Sequence, residues 1–305
     1  MEKVEPLYKD SLKVHFAGME DIAKAACMNA VGVQYYLFTC YQFVLSRMKG
    51  GKSRKQYYIP KQLEEFGKHV IMDSGLFTLM FGAAKGRKDE KFITKWMTEL
   101  VGFVKESGFK GTCVEVDCQK VLSPEIAWKL RRKLGKMLPD NRVINVFHLE
   151  DGKKGLDRLI DYSDYIALSV PEFRIHRPRI YKKDVKSITR YIKNKKPAID
   201  IHLLGCTDNE MLQDNRFCTS ADSTSWSAIV RWPQIPLVLN GKRIVKHVSQ
   251  INDEELVKRY RDMIMDISKK FKINTSDKSM INHAKVCFAG DMFLHEYEYL
   301  LGHQK

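Results

Sequence analysis

Short apolar runs recur along the chain at intervals that leave room for a helix between them. The runs that we predict to be strands are 12–17, 32–38, 69–73, 112–117, 142–148, 165–170, 200–205 and 217–222. They are continuously apolar more than strictly alternating, which is typical of parallel strands covered on both faces. Eight strands that alternate with helices predict an α/β fold of the TIM (β/α)8 barrel type. A doubly wound open sheet is the competing architecture.

The segments between the predicted strands show helical periodicity or helix-forming composition at 123–138, 155–162 and 182–193. The first of them opens with Ser123, a residue suited to capping a helix N-terminus, and with Pro124 at the first helical position. Residues 41–68 stand outside this repeat. Their basic stretch, 49–55, is predicted to be a mobile loop.

The last part of the chain begins with Pro233 and Pro236 and a candidate turn at 240–241, and helical segments follow near 253–271 and 280–301. We predict that these helices close the barrel. The chain is then a single domain over 1–305, with the barrel at about 12–232 and a C-terminal helical extension at about 233–305.

Three of the apolar runs end in an aspartate, at Asp73, Asp117 and Asp222. A carboxylate is poorly placed inside a strand, because burial among apolar neighbours costs free energy. In a TIM barrel the C-terminal ends of the strands carry the catalytic groups. The three aspartates are therefore expected to converge on one polar mouth. Other polar groups or glycines close the fifth, sixth and seventh predicted strands, at His148, Glu172 and Gly205.

The run 73–78 offers Gly75 for the close approach of a ligand and Phe77 for stacking on a flat base. The alternative is a strand-to-helix turn with an ordinary cap. The run 222–226 offers Asp222 as a nucleophile toward a sugar carbon. Its alternative is again a helix cap. A lone histidine such as His148 is more often a hydrogen-bonded structural residue than a catalyst.

The chain carries 52 basic and 37 acidic residues, a net charge of +15. This excess favours a polyanionic partner such as DNA or RNA over a merely basic, soluble surface. The candidate phosphate contacts follow the sixth and eighth predicted strands and are Arg174, Arg177, Arg179, Arg231, Lys242 and Arg243. The alternative for each of them is a solvated surface charge.

Seven cysteines are scattered along the chain without a CxxC pair. Their odd number and spacing argue against a disulfide framework and against a structural zinc site. No apolar run reaches the length of a membrane span, and the charged N-terminus does not resemble a secretory signal. We therefore expect a cytoplasmic protein with no membrane partner and no metal.

Taken in order, these motifs resemble those of the tRNA-guanine transglycosylase superfamily over about residues 12–232. The run 73–78 resembles the family's Asp-Ser-Gly-Gly-(Phe/Tyr)-Gln element, and 203–207 resembles its Leu-Met-Gly-Val-Gly element. The run 169–172 resembles the family's sixth strand end, which is glycine-rich and followed by a glutamate. Asp117 and Asp222 match the family's base-reading and nucleophilic aspartates.

The departures from the family pattern concern the base and the metal. Leu76, Thr78 and His148 stand where the family has glycine, glutamine and glutamine, which leaves the identity of the incoming base open. The tRNA enzymes carry a Cys-x-Cys-x-x-Cys and His zinc site after the eighth strand, and nothing in this sequence matches it. The resemblance is therefore to the DNA-modifying branch, the DpdA-like 7-deazaguanine transglycosylases of phages and bacteria.

The resemblance implies a pentosyltransferase that replaces guanine in DNA with a 7-deazaguanine such as preQ0, without a cofactor. Asp222 would be the nucleophile, Asp73 the proton carrier and Asp117 the base reader. The other implied substrate-binding residues are Ser74, Gly75, Phe77, His148, Ser169, Glu172 and Gly205. Implied partners are DNA, the free base and other DNA-modification proteins, in the host cytoplasm if a phage encodes the chain.

Three alternatives stay open. One is a queuine- or preQ1-type enzyme that acts on tRNA. Another is a non-catalytic nucleic-acid-binding paralogue, although the presence of both Asp73 and Asp222 argues against it. The third is an unrelated barrel hydrolase acting on sugars, which paired carboxylates would also suit.

Overall fold

The computed structural model describes residues 12–51, 54–76, 89–206, 208–231, 234–239, 242–247 and 252–302, with the backbone alone for 54–56, 231, 234–239 and 242–247. Within these residues, eight parallel strands close into a barrel in the order β1 to β8, with β8 pairing back onto β1. The strands are β1 Lys13–Ala17, β2 Tyr35–Thr39, β3 His69–Asp73, β4 Thr112–Val114, β5 Val143–Phe147, β6 Tyr165–Ser169, β7 Asp200–Leu204 and β8 Ser220–Ser223. The predicted TIM barrel is confirmed.

Helices follow the strands around the outside of the barrel. They are α1 Ile22–Ala30, α2 Tyr41–Met48, α3 Arg54–Phe66, α4 Glu90–Ser107, α5 Pro124–Met137, α6 Gly152–Tyr162, α7 Val170–His176, α8 Tyr181–Lys195, α9 Asn209–Asp214, α10 Ser227–Arg231, α11 Asp253–Phe271 and α12 Asp277–Leu301. The predicted start of α5 is confirmed, because the Ser123 hydroxyl accepts a hydrogen bond from the Ile126 N–H at 3.4 Å. None of the described helices combines the length and the apolarity needed to cross a bilayer.

The irregular segments depart from the prediction in two places. Most of 41–68 is helical, as α2 and α3, and the basic stretch 49–55 runs from the turn after α2 into the start of α3. Helix α2 forms because Phe43 and Val44 lie buried on its inner side. Only part of that stretch can be compared with the predicted loop, since residues 52–53 lie outside the described residues.

The second correction concerns the start of the C-terminal extension, where a turn but no strand was expected before the helices. An antiparallel hairpin of β9 Gln234–Leu239 and β10 Lys242–His247 comes first. Pro236 pairs with Val245 in this two-stranded sheet. A proline is tolerated there because both strands of a hairpin are edge strands, where a missing N–H can face outward. The candidate turn at 240–241 lies outside the described residues.

The two long C-terminal helices pack against the first strand and helix of the barrel. The ring of Tyr297 on α12 meets the ring of Phe16 on β1 at 5.9 Å between centroids. Gly290 lies so close to α1 that a Cβ atom there would come within 2.6 Å of the Met28 sulfur. The predicted closing helices therefore pack tightly on the barrel at this side.

Alternate residues of the strands form an apolar belt inside the barrel. Its members are Ala17, Leu37, Ile71, Val114, Ile144, Val146, Tyr165 and Ala167. Side chains alternate along a strand, so the inward position two residues beyond Ile71 is Asp73, and the one beyond Val146 is His148. The belt is therefore an apolar floor beneath a polar mouth.

Two features call for a glycine at Gly75, two residues after β3, and Gly108 shares only the first of them. The φ of Gly75 is +71°, and a Cβ atom there would lie 2.7 Å from the backbone nitrogen of Tyr41. Gly108, which ends α4, has φ +69° but nothing within 4 Å of its would-be Cβ.

We expect Gly108→Ala to cost about 1–2 kcal/mol, the cost of the left-handed conformation alone. Gly75→Ala should cost about 3–5 kcal/mol, because overpacking against Tyr41 adds about 1–3 kcal/mol. Urea unfolding of both variants measures the difference. Equal losses in the two variants would show that the contact with Tyr41 carries no cost.

Candidate active site

Asp222 lies at the mouth of the barrel and is held by β7. Its Oδ1 accepts hydrogen bonds from the Gly205 N–H at 2.8 Å and from His202 Nε2 at 3.2 Å. Only 12% of its side chain is exposed. Gly205 has φ +61°, which turns its N–H back toward the strand ends. A nearly buried carboxylate with two donors on one oxygen results.

Asp73 faces the same mouth from β3. Its Oδ2 accepts a hydrogen bond from the Gly75 N–H at 3.3 Å. Burial raises the pKa of Asp73 to about 6, and the charges of Asp222 and Glu20 add to the rise, against hydrogen bonds from Gly75 and Thr39. Near neutral pH such a carboxyl group both gives and takes a proton readily, as a general acid–base catalyst requires.

Glu20 is a neighbour of this pair that the sequence did not single out. It follows β1, and its Oε1 accepts a hydrogen bond from the Thr39 N–H at 2.6 Å. The predicted polar strand ends covered strands three to eight only. The available signal was a carboxylate three residues after the first strand, the same distance at which Asp117 follows β4 and Glu172 follows β6.

A second group of charges occupies the opposite part of the mouth. His148 lies between two carboxylates, with Nε2 at 2.8 Å from Asp117 Oδ1 and Nδ1 at 3.1 Å from Glu172 Oε2. Burial alone would lower the pKa of His148, but hydrogen bonds and charge from Asp117 and then Glu172 raise it to about 10. His148 is therefore an imidazolium at neutral pH, and both of its N–H groups are in use.

Lys120 extends this charged group and was also missed from the sequence. Its Nζ lies 2.7 Å from Glu150 Oε2 and 3.1 Å from Glu172 Oε1. The contact between Lys120 Nζ and Glu172 Oε1 is an ion pair and not a hydrogen bond. Glu172 Oε1 is buried and accepts no hydrogen bond from the described residues. Burial would raise the pKa of Glu172, but His148 and Lys120 together lower it.

The remaining predicted substrate-binding residues shape the backbone of the site. Ser74 is buried, and its carbonyl accepts a hydrogen bond from Trp96 Nε1 at 3.0 Å. The Ser169 hydroxyl caps α7 by accepting from the Glu172 N–H at 3.4 Å. Phe77 lies outside the described residues.

The candidate phosphate contacts fall into two groups along the chain. Arg174, Arg177 and Arg179 are exposed in and after α7, and Arg177 pairs with Asp184 at 3.0 Å. Arg231 ends α10, and the other two members, Lys242 and Arg243, begin β10. The side chains of this second group are not described.

All seven cysteines are free and buried. Within the described ranges, no three His, Cys, Asp or Glu side chains are grouped as metal ligands.

No protein-family model matches the sequence, and no curated protein matches it. Among solved structures, the fold is similar to a protein from Burkholderia cenocepacia J2315 provisionally described as a lyase/mutase, at 11% identity and a TM-score of 0.41, over 71% of this chain and 77% of that one. The intracellular xylanase TsXylA of Thermoanaerobacterium saccharolyticum JW/SL-YS485, in complex with xylotriose, has 10% identity and a TM-score of 0.40, over 73% and 89%.

An enolase protein from the environmental genome shotgun sequencing of the Sargasso Sea has 10% identity and a TM-score of 0.41, over 80% of this chain and 66% of that one. Likenesses this distant say nothing about chemistry. The assignment of the fold comes from the closed eight-stranded barrel itself.

The charge of His148 should make stability depend on pH. Its folded-state pKa of about 10 lies above the ordinary 6.5, so its contribution is complete below pH 6.5 and is lost as the pH rises through 10. We expect His148→Gln to be less stable than the wild type by about 2–4 kcal/mol at pH 6.5. Urea unfolding at pH 6.5, 8.5 and 10 should show the gap narrowing. A gap that stays constant over this range would contradict a charged His148.

Asp73 should also make stability fall as the pH rises, but over a lower pH range. Its folded-state pKa of about 6 lies above the ordinary 3.8, so its ionisation destabilises the fold increasingly between pH 4 and 6, and fully above that range. We expect Asp73→Asn to gain about 1–3 kcal/mol at pH 8 and nothing at pH 4. Exposed Asp140→Asn is the control and should be neutral at both. Equal effects of Asp73→Asn at the two pH values would rule out the raised pKa.

Proposed function

We propose that the chain is a base-exchange glycosyltransferase that replaces guanine in DNA with a 7-deazaguanine such as preQ0. The observation that carries the proposal is the pair Asp222 and Asp73. One carboxylate is fixed by two hydrogen bonds, and the other has a pKa of about 6. The resemblance of the motifs supplies the reaction class, and the pair supplies groups suited to it.

In the first half of the proposed reaction, Asp222 attacks C1′ of the target deoxyguanosine. The bond between C1′ and the base breaks, its electron pair leaves with the guanine, and Asp73 donates the proton that neutralises the leaving base. The product is a covalent glycosyl-enzyme, as in a retaining glycosidase. In the second half, Asp73 removes a proton from the incoming base, whose nitrogen attacks C1′ and releases Asp222.

The proposed base reader is Asp117. Its side chain is 33% exposed, so it keeps a surface on which to accept hydrogen bonds from the N–H groups of a base. His148 holds Oδ1 of this carboxylate and balances its charge. Since both N–H groups of His148 are already donated to carboxylates, recognition in this part of the site would rest on acceptor oxygens. A purine edge that offers donors suits such a site.

A base inside a duplex must leave its stack to reach a pocket of this kind. The exposed Arg174, Arg177 and Arg179 follow β6 on the side of the mouth and are our candidates for holding the phosphates. Phosphate contacts of this type make affinity fall steeply with salt. The net charge of +15 agrees with a polyanionic substrate.

A tRNA substrate is the second candidate, because its guanine would present the same hydrogen-bonding edge to Asp117. The preference for DNA comes from the departure of the sequence from the zinc-binding pattern of the tRNA branch. A glycoside hydrolase remains the alternative from another class, since a nucleophilic and a protonated carboxylate also serve sugar hydrolysis.

Asp222→Asn tests the proposal. Asparagine keeps an oxygen to accept from Gly205 and His202 but cannot act as the nucleophile, so base exchange should fall by at least about 10³-fold. Labelled guanine is incubated with duplex DNA, with tRNA and without nucleic acid, and incorporated label and any protein–nucleic acid adduct are measured. Asp140→Asn is the matched exposed control.

Label that enters DNA with the wild type and not with Asp222→Asn supports the proposal. Entry into tRNA alone would move the substrate to the second candidate. Normal exchange by Asp222→Asn would refute the nucleophile. If the wild type exchanges no base into either nucleic acid but releases sugar from a glycoside, the glycoside hydrolase would replace the proposed function.

A further inference from the structure

A line of three hydrogen bonds runs through the interior of the barrel and ends on Asp222. The Tyr165 hydroxyl lies 2.5 Å from Ser220 Oγ, and Ser220 Oγ lies 2.5 Å from His202 Nδ1. His202 Nε2 then reaches Asp222 Oδ1 at 3.2 Å. Tyr165, Ser220 and His202 are completely buried. The line joins three strands, since Tyr165 comes from β6, His202 from β7 and the other two from β8.

Counting protons fixes the direction of these hydrogen bonds. Ser220 Oγ is the acceptor that the described residues offer to the Tyr165 hydroxyl, so Tyr165 donates to Ser220. The Ser220 hydroxyl is then free to donate to Nδ1 of His202, which must be unprotonated to accept. Were Nδ1 protonated, three protons would share these two contacts, and the hydroxyl proton of either Tyr165 or Ser220 would be buried without an acceptor among the described residues, at a cost of about 1–3 kcal/mol.

The groups around His202 fit this neutral form. The rings of Tyr165 and His15 lie 6.5 Å and 6.4 Å from it, and His69 lies beyond His15. Burial lowers the pKa of His15 well below its usual range and that of His69 to about 3, so both rings are uncharged. Among these groups, the charged one that faces His202 is the carboxylate of Asp222. Because a carboxylate accepts hydrogen bonds, an Nε2–H group on His202 suits it.

We propose that His202 is a positioning residue for the nucleophile, held by Tyr165 and Ser220 in the form that carries its proton on Nε2. Together with the Gly205 N–H, it occupies Oδ1 of Asp222 and fixes the orientation of the carboxylate. Oδ2 accepts no hydrogen bond from the described residues and is the oxygen that attacks. This inference rests on the proposed function, because it assigns a role in the attack by Asp222.

Two amide variants test the role of the Nε2–H group. The side-chain nitrogen of glutamine reaches about as far as Nε2, whereas that of asparagine ends near the position of Nδ1. We expect His202→Asn to lower the rate of glycosyl-enzyme formation by about 10- to 100-fold, the effect of losing a donor to a charged group. His202→Gln should stay within about threefold of the wild type. The KM for the nucleic acid and the thermal midpoint should be similar in the two variants.

The pH dependence of the rate distinguishes a positioning role of His202 from a role in packing alone. A carboxylate that loses a donor binds a proton more readily, so the acid limb of the rate should move to higher pH in His202→Asn and return in His202→Gln. Equal rates and unmoved acid limbs in both variants would overturn the positioning role.

A measurement independent of activity completes the test. In protein labelled with 15N at histidine, the signals of His202, assigned by their loss in His202→Gln, should show an unprotonated Nδ1 and a protonated Nε2 at pH 7. A protonated Nδ1 would overturn the inference whatever the kinetics. If the wild type exchanges no base, the proposed function fails, while the ring protonation still decides whether His202 donates to Asp222.

Discussion

Asp222 and Asp73 bring two carboxylates together at the mouth of the barrel, where burial limits their solvation by water. Negative charge in such a place costs free energy unless donors surround it or a proton removes it. Both solutions occur. Asp222 receives the N–H groups of Gly205 and His202, whereas Asp73 has its pKa raised to about 6. Two residues of one type thus acquire different properties from their surroundings.

The other part of the mouth meets the same constraint by pairing charges. Asp117 and Glu172 are held by the imidazolium of His148, and Lys120 joins Glu172 to Glu150. Removing one partner of such a pair is costly, because the other charge would be left buried without compensation. The mouth is therefore divided into a part where donors and a raised pKa accommodate the carboxylates and a part where three carboxylates share the two cations His148 and Lys120.

The strands were predictable because burial on both faces makes them uniformly apolar, and six of the eight predicted runs begin within one residue of the observed strand. Some of the other departures have local causes. β4 ends at Val114 because the chain turns at 115–117, where the Asp117 N–H bonds to the Glu115 carbonyl. Basic composition hid α2 and α3, and prolines hid the hairpin β9–β10, since both patterns normally mark loops.

The sequence by itself determined the barrel and the presence of acids at the ends of β3 and β8, because alternation along a strand places such residues at the mouth. It did not determine which groups meet there. Glu20 and His202 meet their partners from other strands, and Lys120, although only three residues after Asp117, pairs with Glu150 and Glu172 from later segments. Their effects depend on approaches of a few ångströms. Only the closed barrel brings these groups together, and only burial at its mouth makes the proton affinities of the carboxylates differ.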